Sequence, residues 1–220
     1  MLDGWIRPYI DPSLNQAAGA LARAEVTPNA LTSVGLIFAG LCFAALTAQF
    51  YTVALLFMLL NRLCDGLDGP VARHPDYRAR LPQDGRKERG FGAFYDILSD
   101  FILYAGMPFF FALGVHLAEE NVWMPTAFLL MGIVLSAVGF LAYAVIAEKN
   151  RLTTTQQGHK GFYYMVGLME GTETILFFAG MMLFPSVYPV LCWVFGGLCI
   201  ITALARLDVA RVNFGLSAKP

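Results

Sequence analysis

Long apolar runs, separated by short polar connections, follow one another along the chain. Six of them predict helices over about 31–49, 51–72, 91–114, 124–148, 161–184 and 187–207. Each approaches the ~20 residues that a helix needs to cross the hydrocarbon core of a bilayer. Helices are expected because backbone N–H and C=O groups in lipid must be satisfied within the segment itself. Ahead of the first run, "DPSLNQAAGALARAEV" predicts a helix with Asp11 as N-cap and Pro12 at the first helical position. Leu14, Ala17, Ala18 and Leu21 recur there at helical spacing, which suits a helix lying in the membrane interface with Trp5 and Tyr9 as anchors. A polar arm is the plainer alternative. Asp3 precedes any apolar run, so a cleaved signal is not expected. The expected fold is all-α: a polytopic membrane protein with six transmembrane helices and an N-terminal interfacial amphipathic helix. It forms one domain over 1–220, with 1–29 at the cytoplasmic face and 74–91 as a long basic loop.

Composition strengthens the membrane reading. Charged residues make up 14% of the chain and the mean hydropathy is +0.59, whereas soluble domains carry roughly 25% charge. Cys42, Cys64, Cys192 and Cys199 all lie in apolar runs without metal-ligand or redox spacing, so disulfides are not expected. Net charge, at −1, points to no class of partner, and nucleic acid is not expected as one. The placement of charge is more informative. Lys and Arg fall at one end of the runs or in the loops 73–90 and 149–160, while "AQF", "HLAEENVW" and "FPSVYP" on the opposite side hold none. The positive-inside rule therefore puts both termini and both basic loops in the cytoplasm. The expected location is the inner or plasma membrane of a prokaryote.

Against this background, four aspartates stand out. Asp65 and Asp68 lie in the second run, three residues apart; Asp96 and Asp100 lie in the third, four apart. Each spacing projects both carboxylates from one helix face. At 1.5 Å of rise per residue, Asp65 and Asp96 lie ~9 Å below the inner edge of the core and Asp100 ~15 Å. Four carboxylates converging there would repel one another, and divalent cations that prefer oxygen ligands resolve the conflict. Asp65, Asp68, Asp96 and Asp100 are thus candidate ligands for Mg2+ or Mn2+, and two ions held this way would clamp a phosphoryl group. Gly66, Gly69 and Gly92 clear space beside the carboxylates, although close helix packing also explains each alone. Arg73, one turn beyond Gly69, offers a planar fork for phosphate or simply obeys the positive-inside pattern.

The array Asp65-x-x-Asp68-Gly69-x-x-Ala72-Arg73, followed by Gly92-x-x-x-Asp96-x-x-x-Asp100, resembles the signature of the CDP-alcohol phosphotransferase (CDP-alcohol phosphatidyltransferase) family. The resemblance implies metal binding by Asp65, Asp68 and Asp96, with Asp100 both a ligand and the catalytic general base. It implies a nucleotide pocket shaped by Gly69, Ala72, Arg73 and Gly92. "TPNALT" is similar to the family's entry to its first span, which adds Asn29 and Thr32. It also implies a homodimer. One departure is the 18-residue stretch between Arg73 and Gly92, longer than the family's usual spacing. The implied reaction moves a substituted phosphate from CDP-diacylglycerol or another CDP-alcohol to a small alcohol and releases CMP, as in phospholipid synthesis. Transfer from a soluble CDP-alcohol to diacylglycerol is the reverse arrangement. A cation transporter, which also carries carboxylates within its spans, is the alternative from another class.

Residues for the acceptor are less distinct. Lys149, Arg151, Lys160, Arg206 and Arg211 would suit a phosphorylated alcohol, yet all obey the positive-inside pattern. Arg206 could equally pair with Asp208. Glu170 and Glu173, inside the fifth run, would bind acceptor hydroxyls or an amino-alcohol cation, or else form a structural lock with Arg62 or Arg206.

Overall fold

The computed structural model describes residues 3–81, 86–116, 122–150 and 171–214, with side chains described from residue 8 and, after the loop, from residue 90. Every regular element among them is helical. The chain divides into two compact units, Gly4–Val122 and Trp123–Pro220 together with the first three residues.

The first unit holds α1 (Asp3–Arg23), α2 (Pro28–Thr47), α3 (Tyr51–Arg73), the single turn α4 (Pro75–Arg78) and α5 (Arg86–His116). Helix α2 begins where the sequence expects. Thr27 Oγ1 accepts from the Ala30 N–H at 3.2 Å, and Pro28 occupies the first turn, where its missing N–H costs nothing. Helix α2 packs along both α3 and α5. Contact with α5 is close enough that a Cβ on Gly114 would strike the carbonyl oxygen of Leu46, and one on Gly106 would strike the ring of Phe43. Gln49, whose Nε2 donates to the Gly114 carbonyl at 2.7 Å, ties the α2–α3 turn to the same place. Asn61 fixes α3 against α2 by donating to the Gly35 carbonyl at 2.8 Å.

Helix α1 departs from expectation. It starts at Asp3 rather than after an Asp11 cap, and Pro8 and Pro12 lie inside it. Proline in a helix leaves an upstream carbonyl without a partner. Both prolines are exposed, so water can satisfy that carbonyl and the helix continues. Its buried face is Ala18 and Ala22, flanked by Leu21, and it packs on Leu31, Val71, Leu67, Val26 and Tyr77. Ala17 is exposed. Arg80 Nη2 donates to the Ala22 carbonyl and so closes the C-terminal end of α1.

Two helices end on non-glycine residues with left-handed backbone, Glu25 (φ 63°) and Gln49 (φ 61°). That conformation costs L-residues roughly 1–2 kcal/mol. Glu25→Gly should therefore raise the thermal unfolding midpoint, by about 0.5–1 kcal/mol in stability after the entropy cost of glycine. A lowered midpoint would show instead that the Glu25 side chain holds the α1–α2 turn.

The second unit holds α6 (Trp123–Lys149), α7 (Gly171–Leu183), a 3-10 turn (Pro185–Val187) and α8 (Tyr188–Phe214). Helices α6 and α8 cross at Gly132 and Gly196, where a Cβ on Gly132 would lie 2.6 Å from the Gly196 carbonyl oxygen. Glycine pairs of this kind let backbones approach in a membrane. Buried Thr126 and Tyr188 share a hydrogen bond of 2.8 Å, and Asn213 Nδ2 donates to the Tyr143 hydroxyl at 2.9 Å.

Among the described residues, four helices are long and apolar enough to cross a membrane: Pro28–Thr47, Gly90–His116, Trp123–Lys149 and Pro185–Phe214. They match four of the six expected spans. Helix α3, with 23 residues, reaches ~34 Å, but Arg62, Asp65, Asp68 and Arg73 dilute its apolar character. Of the expected span 161–184, the described part is α7 and its short continuation; residues 161–170 lie outside the described residues. The four cysteines are buried and free.

Candidate functional site

The C-terminal end of α3 and the N-terminal half of α5 carry the motif residues. Helix α3 continues through "CDGLDGPVAR" despite Pro70 and ends at Arg73. On the facing helix, Gly92, Asp96 and Asp100 follow one another at four-residue spacing. Of the four carboxylates expected to converge, three meet. Asp65, Asp68 and Asp96 each present an oxygen within 4.8 Å of the other two, and they form the only such group among the described residues. The donors are all hard oxygens, which suits Mg2+ or Mn2+. Neighbouring oxygens on an octahedral magnesium stand ~3.0 Å apart and opposite ones ~4.2 Å at bond lengths of ~2.1 Å, so the three side chains would draw inward to close on an ion.

Asp68 is the buried member. Thr32 Oγ1 donates to its Oδ2 at 2.8 Å, a charge-assisted bond across the α2–α3 contact. Ser33 Oγ shares a 2.9 Å hydrogen bond with the Tyr95 hydroxyl and donates to the Asn29 carbonyl at 2.8 Å. These bonds make α2 a third wall of the site.

Asp100 stands apart from the three. Its Oδ1 accepts from Arg62 Nη1 at 2.8 Å, and the same nitrogen lies 3.5 Å from Asp65 Oδ2. Arg62 is oriented by its neighbour: its Nε donates to Asn61 Oδ1 at 2.8 Å, while Asn61 is itself anchored to α2. The guanidinium also lies 5.6 Å from the centre of the Tyr104 ring. Only 9% of the Arg62 side chain is exposed, and its Nη2 is buried without a hydrogen-bond partner. A buried donor left unmade costs ~1–3 kcal/mol. Sequence reasoning treated Arg62 as a cation near the inner end of its span and a possible partner for Glu170 or Glu173. Its i, i+3 spacing to Asp65 was the available signal.

Beside the carboxylates lies a cavity of about 230 Å³. All six residues expected at a nucleotide, Asn29, Thr32, Gly69, Ala72, Arg73 and Gly92, line it, together with Asp68 and Asp96. Space there depends on the glycines. A Cβ on Gly92 would lie 3.3 Å from Asn29 Oδ1, and one on Gly69 would lie 3.1 Å from Nη1 of Arg73, whose guanidinium folds back over it. Tyr77, Arg78 and Leu81 complete the wall. They come from the long segment after Arg73, which the sequence marks as a basic loop and assigns no role.

The residues expected at an acceptor belong to the second unit. Arg206 Nη1 donates to the carbonyl and hydroxyl oxygens of Ser136 at 2.7 and 3.0 Å, and its guanidinium lies 5.5 Å from the centre of the Phe140 ring. These bonds hold it to α6. Glu173 is half-buried in the first turn of α7, and Lys149 is exposed in the last turn of α6. Glu170, Arg151 and Lys160 lie outside the described residues.

Comparison with known proteins agrees with this geometry. The chain is 39% identical over 207 residues to the inner membrane protein YnjF of Escherichia coli (strain K12), covering 94% of each chain. It is 29% identical over 178 residues to an uncharacterized protein of Aquifex aeolicus (strain VF5), covering 81% of this chain and 79% of that one. No solved structure matches. A family model described as CDP-alcohol phosphatidyltransferase matches residues 25–205, a stretch that contains α2, α3, the acidic cluster and the cavity. With its motif assembled on three helices and most of its length matched, the chain belongs to the CDP-alcohol phosphatidyltransferase family.

Proposed function

We propose that the protein transfers a substituted phosphate from a CDP-linked donor, CDP-diacylglycerol, to a small alcohol and releases CMP. The observation that carries this reading is the cavity in which six expected nucleotide residues and two of the clustered carboxylates share one wall. Asn29, Thr32, Gly69, Ala72, Arg73 and Gly92 bind the nucleotide end. Asp65, Asp68 and Asp96 hold Mg2+ or Mn2+, and a bound ion supplies neutralisation of charge developing on the pyrophosphate. Arg73 adds a fixed cation at the cytoplasmic mouth. Asp100 takes the proton of the acceptor hydroxyl as the alcohol oxygen forms its bond to the β-phosphorus. The bond from that phosphorus to the bridging oxygen breaks, and CMP departs with the electron pair.

A lipid donor fits the surroundings. Leu63 on α3 and Phe94, Ile97 and Leu98 on α5 are large, apolar and exposed beside the acidic residues. Acyl chains lying against such a surface would leave the polar end within reach of the carboxylates. The proposed topology keeps six spans, adding α3 and a fifth span that includes α7 to the four apolar helices. Both termini lie in the cytoplasm, the membrane is a prokaryotic inner membrane, and the protein is a homodimer. Glu170, Glu173, Lys149, Arg151 and Arg206 are proposed to contribute to acceptor recognition.

The test incubates purified protein with Mg2+ or Mn2+, CDP-diacylglycerol and a panel of alcohols, scoring both CMP and new lipid. The same panel pairs soluble CDP-alcohols with diacylglycerol. CMP should appear together with a phosphatidyl-alcohol in the first arrangement. Product from the second alone would reverse donor and acceptor. Metal flux in liposomes without CMP would favour transport.

A further inference from the structure

Arg62 has no part in the family motif that the sequence displays, yet it contacts two of the four motif carboxylates. Its setting is specific. One nitrogen reaches Asp100 at 2.8 Å and Asp65 at 3.5 Å, and Nε is held by Asn61 at 2.8 Å. Asn61 is 1% exposed and bonded to the Gly35 carbonyl, so the guanidinium is aimed by a buried relay that begins on α2. Such second-layer bonds fix the orientation of groups that bind metals or protons.

We propose that Arg62 is a positioning residue that keeps Asp100 out of the metal cluster, so that the nucleotide-free protein takes one divalent ion, on Asp65, Asp68 and Asp96. This rests on the metal-binding reading of that cluster given above. Two physical arguments carry it. Drawing Asp100 onto an ion would break a charge-assisted hydrogen bond and leave a 91%-buried guanidinium, which already has one unpartnered nitrogen, with a further donor unmade. A fixed positive charge lying between Asp65 and Asp100 also repels a second dication from the only place where those two carboxylates could share it. The expectation of two ions from four ligands thus narrows to one ion with three ligands. Asp100, held by Arg62, keeps its outer oxygen for the acceptor proton.

Mn2+ titration of the purified full chain in detergent, with free Mn2+ read by electron paramagnetic resonance, tests this without substrate. The wild type should bind a single ion. Asp100→Asn should leave both stoichiometry and affinity unchanged, whereas loss of a true ligand would weaken binding by about tenfold or more. Arg62→Met should admit a second ion. Arg62→Lys, which retains the charge and guards against a folding failure of the methionine variant, should keep one. A purely structural role for Arg62 would lower the unfolding midpoint without changing stoichiometry. Two ions on the wild type, falling to one in Asp100→Asn, would overturn the proposal while leaving the acidic cluster as a metal site. No bound ion at all would overturn the metal reading itself, so the two failures are distinguishable.

Discussion

Asp68→Asn should reduce CMP release by about 10³-fold, the largest effect expected of any single substitution in the site, and should weaken Mn2+ binding in parallel. Removing one group that stabilises developing charge typically costs ~10²–10³ in turnover, and Asp68 additionally closes the ion-binding cluster and lines the cavity. Asparagine keeps the shape and an oxygen that can accept from Thr32 Oγ1, which now donates to the carboxylate at 2.8 Å. The fold should therefore survive, and an unchanged unfolding midpoint is the control. Asp100→Asn provides the contrast. It should also slow CMP release, by about 10²-fold as expected for a lost general base, while nucleotide binding persists. Undiminished turnover in either variant would remove that residue from the chemistry.

Gly114→Val should have the largest effect on stability. The α2–α5 contact leaves no room for even a Cβ at Gly114, because the nearest obstacle is the backbone carbonyl of Leu46, with the Thr47 carbonyl oxygen at 3.0 Å. Backbone cannot swing aside as a side-chain end can. Overpacking of this kind costs ~1–3 kcal/mol, and occasionally more, and a β-branched residue adds two heavy atoms to the clash. The variant would also displace the carbonyl that accepts from Gln49. A fall of several degrees in the unfolding midpoint, with reduced folded yield in detergent, is the expected result. Gly139→Val is the matched comparison, since nothing lies within 4 Å of a Cβ there. Equal midpoints for the two variants would show that α2 and α5 are less closely packed than described.

What could be read from the sequence, and what could not, follows from the range of the interactions involved. The motif positions are set by helical periodicity, so spacing predicted that Asp65, Asp68, Asp96 and Asp100 would converge; the first three do, while Asp100 pairs with Arg62. It was the family resemblance, not spacing, that grouped Gly69, Ala72, Arg73 and Gly92 with Asn29 and Thr32, and one cavity is lined by all six. The Arg62–Asp100 pair was not legible. Its two members are 38 positions apart, and which carboxylate a long arginine chooses depends on the crossing of α3 and α5. Tyr77, Arg78 and Leu81 were missed because a basic, turn-rich stretch gives no sign that its first turns fold back over the end of α3. The start of α1 was misplaced because Asp11 followed by Pro12 reads as a helix start, while exposure to water lets the helix run through Pro8 and Pro12. Charge within α3 hides it from a hydropathy criterion even though its length matches a bilayer.

Every residue of the acidic cluster and of the cavity lies between Pro28 and Asp100, on helices that follow one another and fold back as neighbours. Since chains emerge from the ribosome N-terminus first and local contacts form fastest, this arrangement allows the acidic cluster and its cavity to take shape during synthesis, while Trp123–Phe214 is still being translated.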